Sequence, residues 1–113
     1  MDKVKDQVYI SHILEATKLI KEFITGKNFQ EFQNEPMRYS AVIRQFEIIG
    51  EAAKRLSIET KENSGDLPWR KITGMRDFLI HDYMEVDFKE VWKAATEDIP
   101  ELEKELEKYK NLM

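Results

Sequence analysis

Apolar residues recur every three or four positions over residues 3–25, which predicts a long amphipathic helix. Gly26 follows the last apolar position and is placed to end this helix in a left-handed conformation. The face predicted to be buried consists of Ile10, Ile13, Leu14, Thr17, Ile20 and Ile24.

A second long helix is predicted from Pro36, a favourable first helical position, to about Ser57. Its main apolar stripe is Tyr39, Val42, Phe46, Ile49, Ala53 and Leu56. A further set (Ile43, Ile48, Gly50 and Ala52) widens the apolar arc, which predicts burial on two sides. In so small a chain, we expect a partner subunit to cover the second side. Gly50 lowers helix propensity by about 1 kcal/mol relative to Ala, and close approach of another backbone would explain its presence.

The remaining segments predict two further helices and their connections. Residues 28–34 predict a connector with at most a helical turn, and residues 58–65 a polar turn. A third helix is predicted from Pro68, followed by a loop at residues 84–86. A fourth begins at Asp87, whose spacing to Glu90 is that of a capping box. No segment has a strand pattern. The sequence therefore predicts one all-α domain over residues 1–113, an up-and-down four-helix bundle with its last helix kinked at Pro100.

Composition narrows the functional classes. The 113 residues include no cysteine, so thiolate metal sites and disulfides are excluded, and a cytoplasmic location is expected. Neither a signal-peptide pattern nor a membrane-spanning run of roughly 20 apolar residues is present. The net charge of −4 argues against a broad basic surface. However, residues 36–76 contain eight Lys and Arg against five Asp and Glu, a local charge of +3.

Titratable chemistry is concentrated in residues 74–83, where Arg76, His81 and Tyr83 form an R-x4-H-x-Y pattern. On a straight helix, Arg76 and Tyr83 would share a face, but His81 would lie about 140° from Arg76. We therefore expect either that the helix ends near His81 or that the arginine of one subunit meets the histidine of another.

Such a pair would suit cleavage of an RNA phosphodiester by its own 2′-hydroxyl group. Histidine transfers protons near neutral pH, and the planar arginine side chain binds phosphate oxygens. No metal or other cofactor is required. The reaction uses two proton-transfer groups, and a two-fold dimer would bring two copies of His81 and Arg76 into one cleft.

Purely structural roles for Arg76 and His81 are the alternative to this catalytic role. Arg76 could pair with Asp77, Asp82 or Glu51, and His81 could be a hydrogen-bonded residue at a helix end. A metal site at His81 with nearby carboxylates lacks a specific ligand spacing. His12, in the first helix, is expected to be a surface or partly buried histidine because no second ligand lies at metal-binding spacing.

The chain resembles the HepT-like proteins of the HEPN superfamily. The resemblance rests on residues 50–53, on residues 68–83 (from Pro68 to Tyr83), on Val86-Asp87 and on Val91-Trp92. It implies a homodimeric toxin of a toxin–antitoxin pair, acting as a metal-independent endoribonuclease with Arg76 and His81 as catalytic residues. It also implies that a minimal nucleotidyltransferase of the MntA type, the antitoxin, transfers AMP onto Tyr83.

One residue departs from the family pattern, because Asp77 stands where Asn is common. A carboxylate beside Arg76 would weaken the hold of that arginine on phosphate. The alternative function is therefore a non-catalytic subunit that docks a nucleotidyltransferase and presents substrate to it, with Arg76 as an anion site.

Overall fold

The computed structural model describes residues 2–65, 67–82 and 85–113, except for the side chains of residues 2, 3, 76, 78, 80, 81 and 82. Three longer helices pack side by side: α1 (Asp2–Ile24), α3 (Pro36–Lys54) and α8 (Ile99–Leu112). The predicted face of α1 packs against α3 and α8 and is buried except for Ile24, which is partly exposed. Gly26 has φ +75°, as expected for the residue that ends the helix. The all-α prediction is confirmed.

Short helices connect these long ones. The connector at residues 28–34 contains α2 (Phe29–Gln33), which has a complete capping box between Asn28 and Glu31. Phe32 of α2 is fully buried, with its ring centroid 5.2 Å from that of Trp92. The prediction of a polar turn at residues 58–65 was wrong, because Ile58–Asn63 forms α4, capped by the Ser57 side chain.

The second side of α3 is covered in part by its own chain. Helices α5 (Trp69–Thr73) and α6 (Met75–Leu79) fold back onto α3, while Ile43 and Ile48 stay partly exposed, so cover by a partner subunit stays a prediction. The predicted close approach at Gly50 is confirmed, since a Cβ atom on Gly50 would lie 3.3 Å from the carbonyl oxygen of Thr73. The absent side chain lets α5 lie directly on α3.

The segment predicted as a single third helix is divided into three elements. Helix α5 ends at Gly74, whose N–H donates to the carbonyl of Arg70 at 3.1 Å, and α6 then begins at Met75. After Leu79 the chain forms strand β1 (Ile80–Asp82), which pairs antiparallel with β2 (Glu85–Val86). The expectation that no strand occurs was therefore wrong, as was the loop expected at Glu85–Val86. Met84 lies outside the described residues.

The predicted fourth helix consists of α7 (Phe88–Lys93), a π-helical turn (Ala94–Asp98) and α8. The last helix was predicted to kink at Pro100. In the structure the irregularity is the π-helical turn, which ends at Asp98, and Pro100 lies in the first turn of α8. Pro100 lacks the N–H that a regular helix would need at this point. Only half of the predicted capping box forms: Asp87 accepts from the Glu90 N–H at 3.1 Å, while its own N–H donates to the Leu79 carbonyl.

Candidate functional site

The backbone of the R-x4-H-x-Y segment passes from α6 into β1. Arg76 is the second residue of the five-residue helix α6, and His81 is the central residue of β1. The helix ends at Leu79, so the prediction that it ends near His81 is confirmed. The 140° separation expected on a straight helix therefore does not apply. The side chains of Arg76 and His81, and the whole of Tyr83, lie outside the described residues, so their convergence stays a prediction.

A cleft of about 520 Å³ lies beside this segment, between α3 and the junction of α5 with α6. Asp77, the neighbour of Arg76, is exposed and lines the cleft, so the cleft borders the backbone that carries the predicted catalytic arginine. The other lining residues are Glu47, Gly50, Glu51, Lys54, Arg55 and Thr73.

Charged groups of both signs surround the cleft. Arg55 and Glu51 are 4.0 Å apart and largely exposed, so their attraction is weak and screened by water. Lys54 is exposed and forms no ion pair with any other residue that the structure describes. The two cations stand at the C-terminal end of α3, where the helix dipole favours positive charge. Together with Glu47, Glu51 and Asp77, these two cations give the lining of the cleft a local charge of −1.

The position of the cleft wall is set by backbone packing. The carbonyl oxygens of Thr73 and Ile72 would lie 3.3 and 3.7 Å from a Cβ atom on Gly50. Thr73 is three residues before Arg76, with only Gly74 and Met75 between them. Gly50 therefore controls how closely the turn that leads into α6 approaches α3.

His12, the other histidine, has the surface position that was expected. It is exposed on α1, and its ring makes an edge-to-face contact with Tyr9 at a centroid distance of 6.4 Å. Within residues 2–65, 67–82 and 85–113, wherever side chains are described, no group of three or more His, Asp or Glu residues is arranged to hold a metal ion. No helix in those ranges is both long and apolar enough to cross a membrane.

Sequence reasoning missed one polar cluster, centred on Asp6. This carboxylate is 2% exposed and accepts from the hydroxyls of Ser57 and Thr60, both at 2.5 Å, and from the Ser57 N–H at 3.0 Å. Burial by itself would raise its pKa, but the hydrogen bonds from Ser57 and Thr60 together outweigh burial and lower the pKa. Asp6 precedes Ile10 by one helical turn on the buried face of α1, which is the signal that could have revealed it. The cluster ties α1 to α4 and is structural.

Residues 13–109 match the family described as Ribonuclease HepT-like. The chain therefore belongs to the HepT-like ribonuclease family, which confirms both the resemblance and the expectation of an enzyme of this class. No solved structure matches it significantly.

Several relatives align with this chain over most of their own length. A candidate RNase of Caldanaerobacter subterraneus subsp. tengcongensis is 41% identical over 87% of this chain and 88% of its own. A protein of Thermococcus cleftensis named probable ribonuclease HepT is 43% identical over 88% of this chain and 91% of its own. A candidate RNase of Methanocaldococcus jannaschii is 36% identical over 95% of this chain and 98% of its own.

Proposed function

We propose that this protein, a single HepT-like helical domain over residues 1–113, is a metal-independent endoribonuclease and the toxin of a toxin–antitoxin pair in the cytoplasm. The observation that carries the proposal is that the R-x4-H pair of Arg76 and His81 stands within residues 13–109, which match a ribonuclease family. The cleft beside α6 supports it, because a site for RNA needs room next to Arg76.

The proposed reaction is transesterification within the RNA backbone. A neutral His81 removes the proton of the 2′-hydroxyl group, whose oxygen forms a bond to phosphorus. The bond from phosphorus to the 5′-oxygen breaks, and a protonated His81 of the second subunit gives that oxygen its proton. Arg76 stabilises the additional negative charge on the phosphate oxygens in the transition state. The products are a 2′,3′-cyclic phosphate and a free 5′-hydroxyl group.

Two copies of the chain complete this site in the proposal. The reaction uses a base and an acid, whereas one chain supplies a single histidine in the motif. Lys54 and Arg55 lie on the opposite wall of the cleft from Asp77 and would contact flanking phosphates. Asp77 would limit phosphate binding by placing a negative charge beside Arg76.

Regulation in the proposal occurs at Tyr83. The cognate antitoxin, a minimal nucleotidyltransferase, attaches AMP to the Tyr83 oxygen, and the added phosphate then competes with RNA for Arg76. Mass spectrometry of the intact protein after co-expression with that enzyme tests this step. We expect AMP-sized increments on the wild-type chain and none on Tyr83→Phe; an unmodified wild-type chain beside an active partner would contradict it.

The catalytic assignment is tested with purified protein, end-labelled RNA and EDTA. We expect EDTA-resistant cleavage that is abolished by His81→Ala and by Arg76→Ala. His12→Ala and Lys18→Ala are controls, because both side chains are exposed on α1 and neither residue lines the cleft. Equal cleavage by all five proteins would refute the proposed roles of Arg76 and His81.

The shared site is tested with a heterodimer of wild type and His81→Ala, purified through two different tags. This heterodimer retains one His81, whereas the proposed reaction uses one His81 from each subunit. We therefore expect the heterodimer to lose nearly all cleavage activity. Retention of about half of the wild-type activity would show that each chain works alone.

The second candidate function is the non-catalytic docking subunit, which is favoured by the exposed carboxylate of Asp77 next to Arg76. In that case the purified protein would form a stable complex with the nucleotidyltransferase but would cleave no RNA, and Asp77→Asn would not create cleavage activity.

A further inference from the structure

A groove runs along the seam between α5–α6 and the irregular last helix, away from the charged cleft. It is made of two neighbouring cavities of about 360 and 480 Å³. Both are lined by Lys71, Met75 and Asp98, so the cavities adjoin. The first continues along α8 to Glu105, and the second continues along α6 to Leu79 and along α7 to Glu90.

The floor of the groove is apolar. Ile72, Met75 and Leu79 contribute from α5 and α6, and Ala94 and Leu102 contribute from the opposite wall. Each of these residues is at most 6% exposed, because each lies at the bottom of the seam rather than on a ridge. An apolar floor between two helical walls fits the apolar stripe of another helix.

The rim of the groove is predominantly acidic. Four carboxylates, Glu90, Asp98, Glu101 and Glu105, stand against two amines, Lys71 and Lys93, which gives a local charge of −2. Glu105 pairs with Lys108 on its own helix at 3.5 Å. The other five rim groups form no ion pair among the described side chains, so their charges are available to an occupant.

The π-helical turn forms part of the wall of this groove. Ala94 and Asp98, its first and last residues, line the second cavity, and Asp98 also lines the first. A single π-helical turn inside a helix is rare and occurs frequently at functional sites. Here it carries Asp98 to the point where the two cavities meet.

We propose that this groove docks a cationic amphipathic helix of a partner protein. The apolar stripe of that helix would lie on Ile72, Met75 and Leu102, and its Lys and Arg side chains would face the carboxylates of the rim. The chain itself carries a net charge of −4, which makes a second copy a poor match for an acidic rim, and RNA phosphates would be repelled. From Asp98 to Glu105 the α8 wall is about 10 Å long, enough for two turns of a docked helix.

An occupant would also contact the helix that carries the predicted catalytic arginine. Met75 and Leu79 line the groove, and Arg76 lies between them in α6. Binding in the groove would therefore restrain α6 from the side opposite the charged cleft. The docking proposal does not depend on ribonuclease activity, and its test does not use that activity.

The probe is a fluorescein-labelled peptide of 14 residues with Leu at 3–4 spacing and Lys at the other positions, capped at both ends. Fluorescence anisotropy measures its affinity, and 15N chemical shifts locate its binding site on the full-length protein. We expect saturable binding, with the largest shifts at Ile72, Met75, Ala94 and Leu102. A peptide with the same Leu pattern and Glu in place of Lys serves as the control and should bind at least about tenfold more weakly.

Paired variants then test the rim. Glu101→Lys combined with Glu105→Lys should lower the affinity for the Lys peptide by about tenfold, because two rim charges are reversed. Glu15→Lys combined with Glu22→Lys makes the same charge change on the exposed face of α1 and should leave the affinity unchanged. Glu101→Gln combined with Glu105→Gln should give a smaller loss of affinity for the Lys peptide. Thermal unfolding checks that each variant is folded.

Three outcomes would overturn the proposal. The first is equal affinity for the Lys and Glu peptides, and the second is a set of shifts that maps outside the groove. The third is a wild-type protein that binds neither peptide and is converted from dimer to monomer by the Glu101 and Glu105 reversals, as measured by sedimentation. That result would identify a second copy of the chain as the occupant.

Discussion

Replacement of Gly50 by Ala tests the contact that positions α5 and α6 on α3. The new Cβ atom would lie 3.3 Å from the Thr73 carbonyl oxygen, slightly inside ordinary van der Waals contact. To relieve this contact, the α5–α6 turn must move away from α3 by a few tenths of an ångström. The Thr73 carbonyl is a backbone group, so the contact cannot be relieved by rotating a flexible side chain.

Two opposing effects determine the stability of Gly50→Ala. Alanine in a helix interior is more favourable than glycine by about 1 kcal/mol. Overpacking against a neighbouring backbone costs about 1–3 kcal/mol, and the small overlap here places the cost at the lower end. We therefore expect the free energy of unfolding to stay the same or to fall by about 1 kcal/mol. Gly50→Val adds two further carbon atoms with a smaller propensity gain and should lose about 3 kcal/mol.

Urea unfolding monitored by circular dichroism measures these changes. Ser40→Ala, at an exposed position of the same helix, is the control for helix propensity alone and should be slightly stabilising. In the RNA cleavage assay, Gly50→Ala should reduce kcat several-fold, because misplacing a catalytic group by less than 1 Å is enough to slow a reaction. The reasoning is refuted if Gly50→Ala gains the full stabilisation of about 1 kcal/mol and keeps the wild-type kcat.

Three further predictions concern individual polar groups. Asp6→Asn should lower the free energy of unfolding by about 1–3 kcal/mol at neutral pH, because a buried hydrogen-bonded carboxylate is lost. Folding lowers the Asp6 pKa, so its stabilisation is complete above the ordinary aspartate pKa and is lost as the pH falls through the folded value. Asp77→Asn should raise the rate of RNA cleavage, most strongly at low salt, because it removes a negative charge beside Arg76. Trp69→Phe should cost about 1–2 kcal/mol, because the indole N–H donates to the Ser64 hydroxyl at 2.5 Å in a buried position.

Each of these predictions has its own control. For Asp6, the stability difference between wild type and Asp6→Asn should shrink on acidification, and a difference independent of pH between pH 2 and 7 would contradict the assigned pKa shift. For Asp77, Glu59→Gln makes the same charge change at an exposed position of α4, and an equal rate increase in both variants would point to net charge alone. For Trp69, Ser64→Ala should give a similar loss, and an unaffected Ser64→Ala would rule out the hydrogen bond as the cause.

Periodicity and local chemistry were sufficient to predict the long helices. The residues buried on α1 and the main stripe of α3 follow the 3–4 spacing, because a helix in a small helical fold has one wide face to bury. The roles of Gly26 and Gly50 were also predicted from the sequence. Gly26 ends a helix in a left-handed conformation, and Gly50 allows the close approach of another backbone segment. The R-x4-H-x-Y segment was found because its residue types, and not its surroundings, define its chemistry.

Tertiary contacts determine the features that were predicted wrongly from the sequence. The break at Gly74 and the ribbon of Ile80–Asp82 with Glu85–Val86 replace a helix that propensity alone would continue, because α5 and α6 must fold back onto α3. Helix α4 forms in a polar segment because Thr60 and Ser57 bind Asp6, a residue 51 positions before Ser57.

The residues of the candidate site were therefore determined by the sequence, and the shape around them by the fold. A pattern within ten residues contains Arg76, His81 and Tyr83, but it carries no information about what packs beside them. The cleft at Asp77 and the acidic groove behind α6 each join residues from distant parts of the chain. Such surfaces arise only when long-range packing brings separate helices together, which local periodicity does not encode.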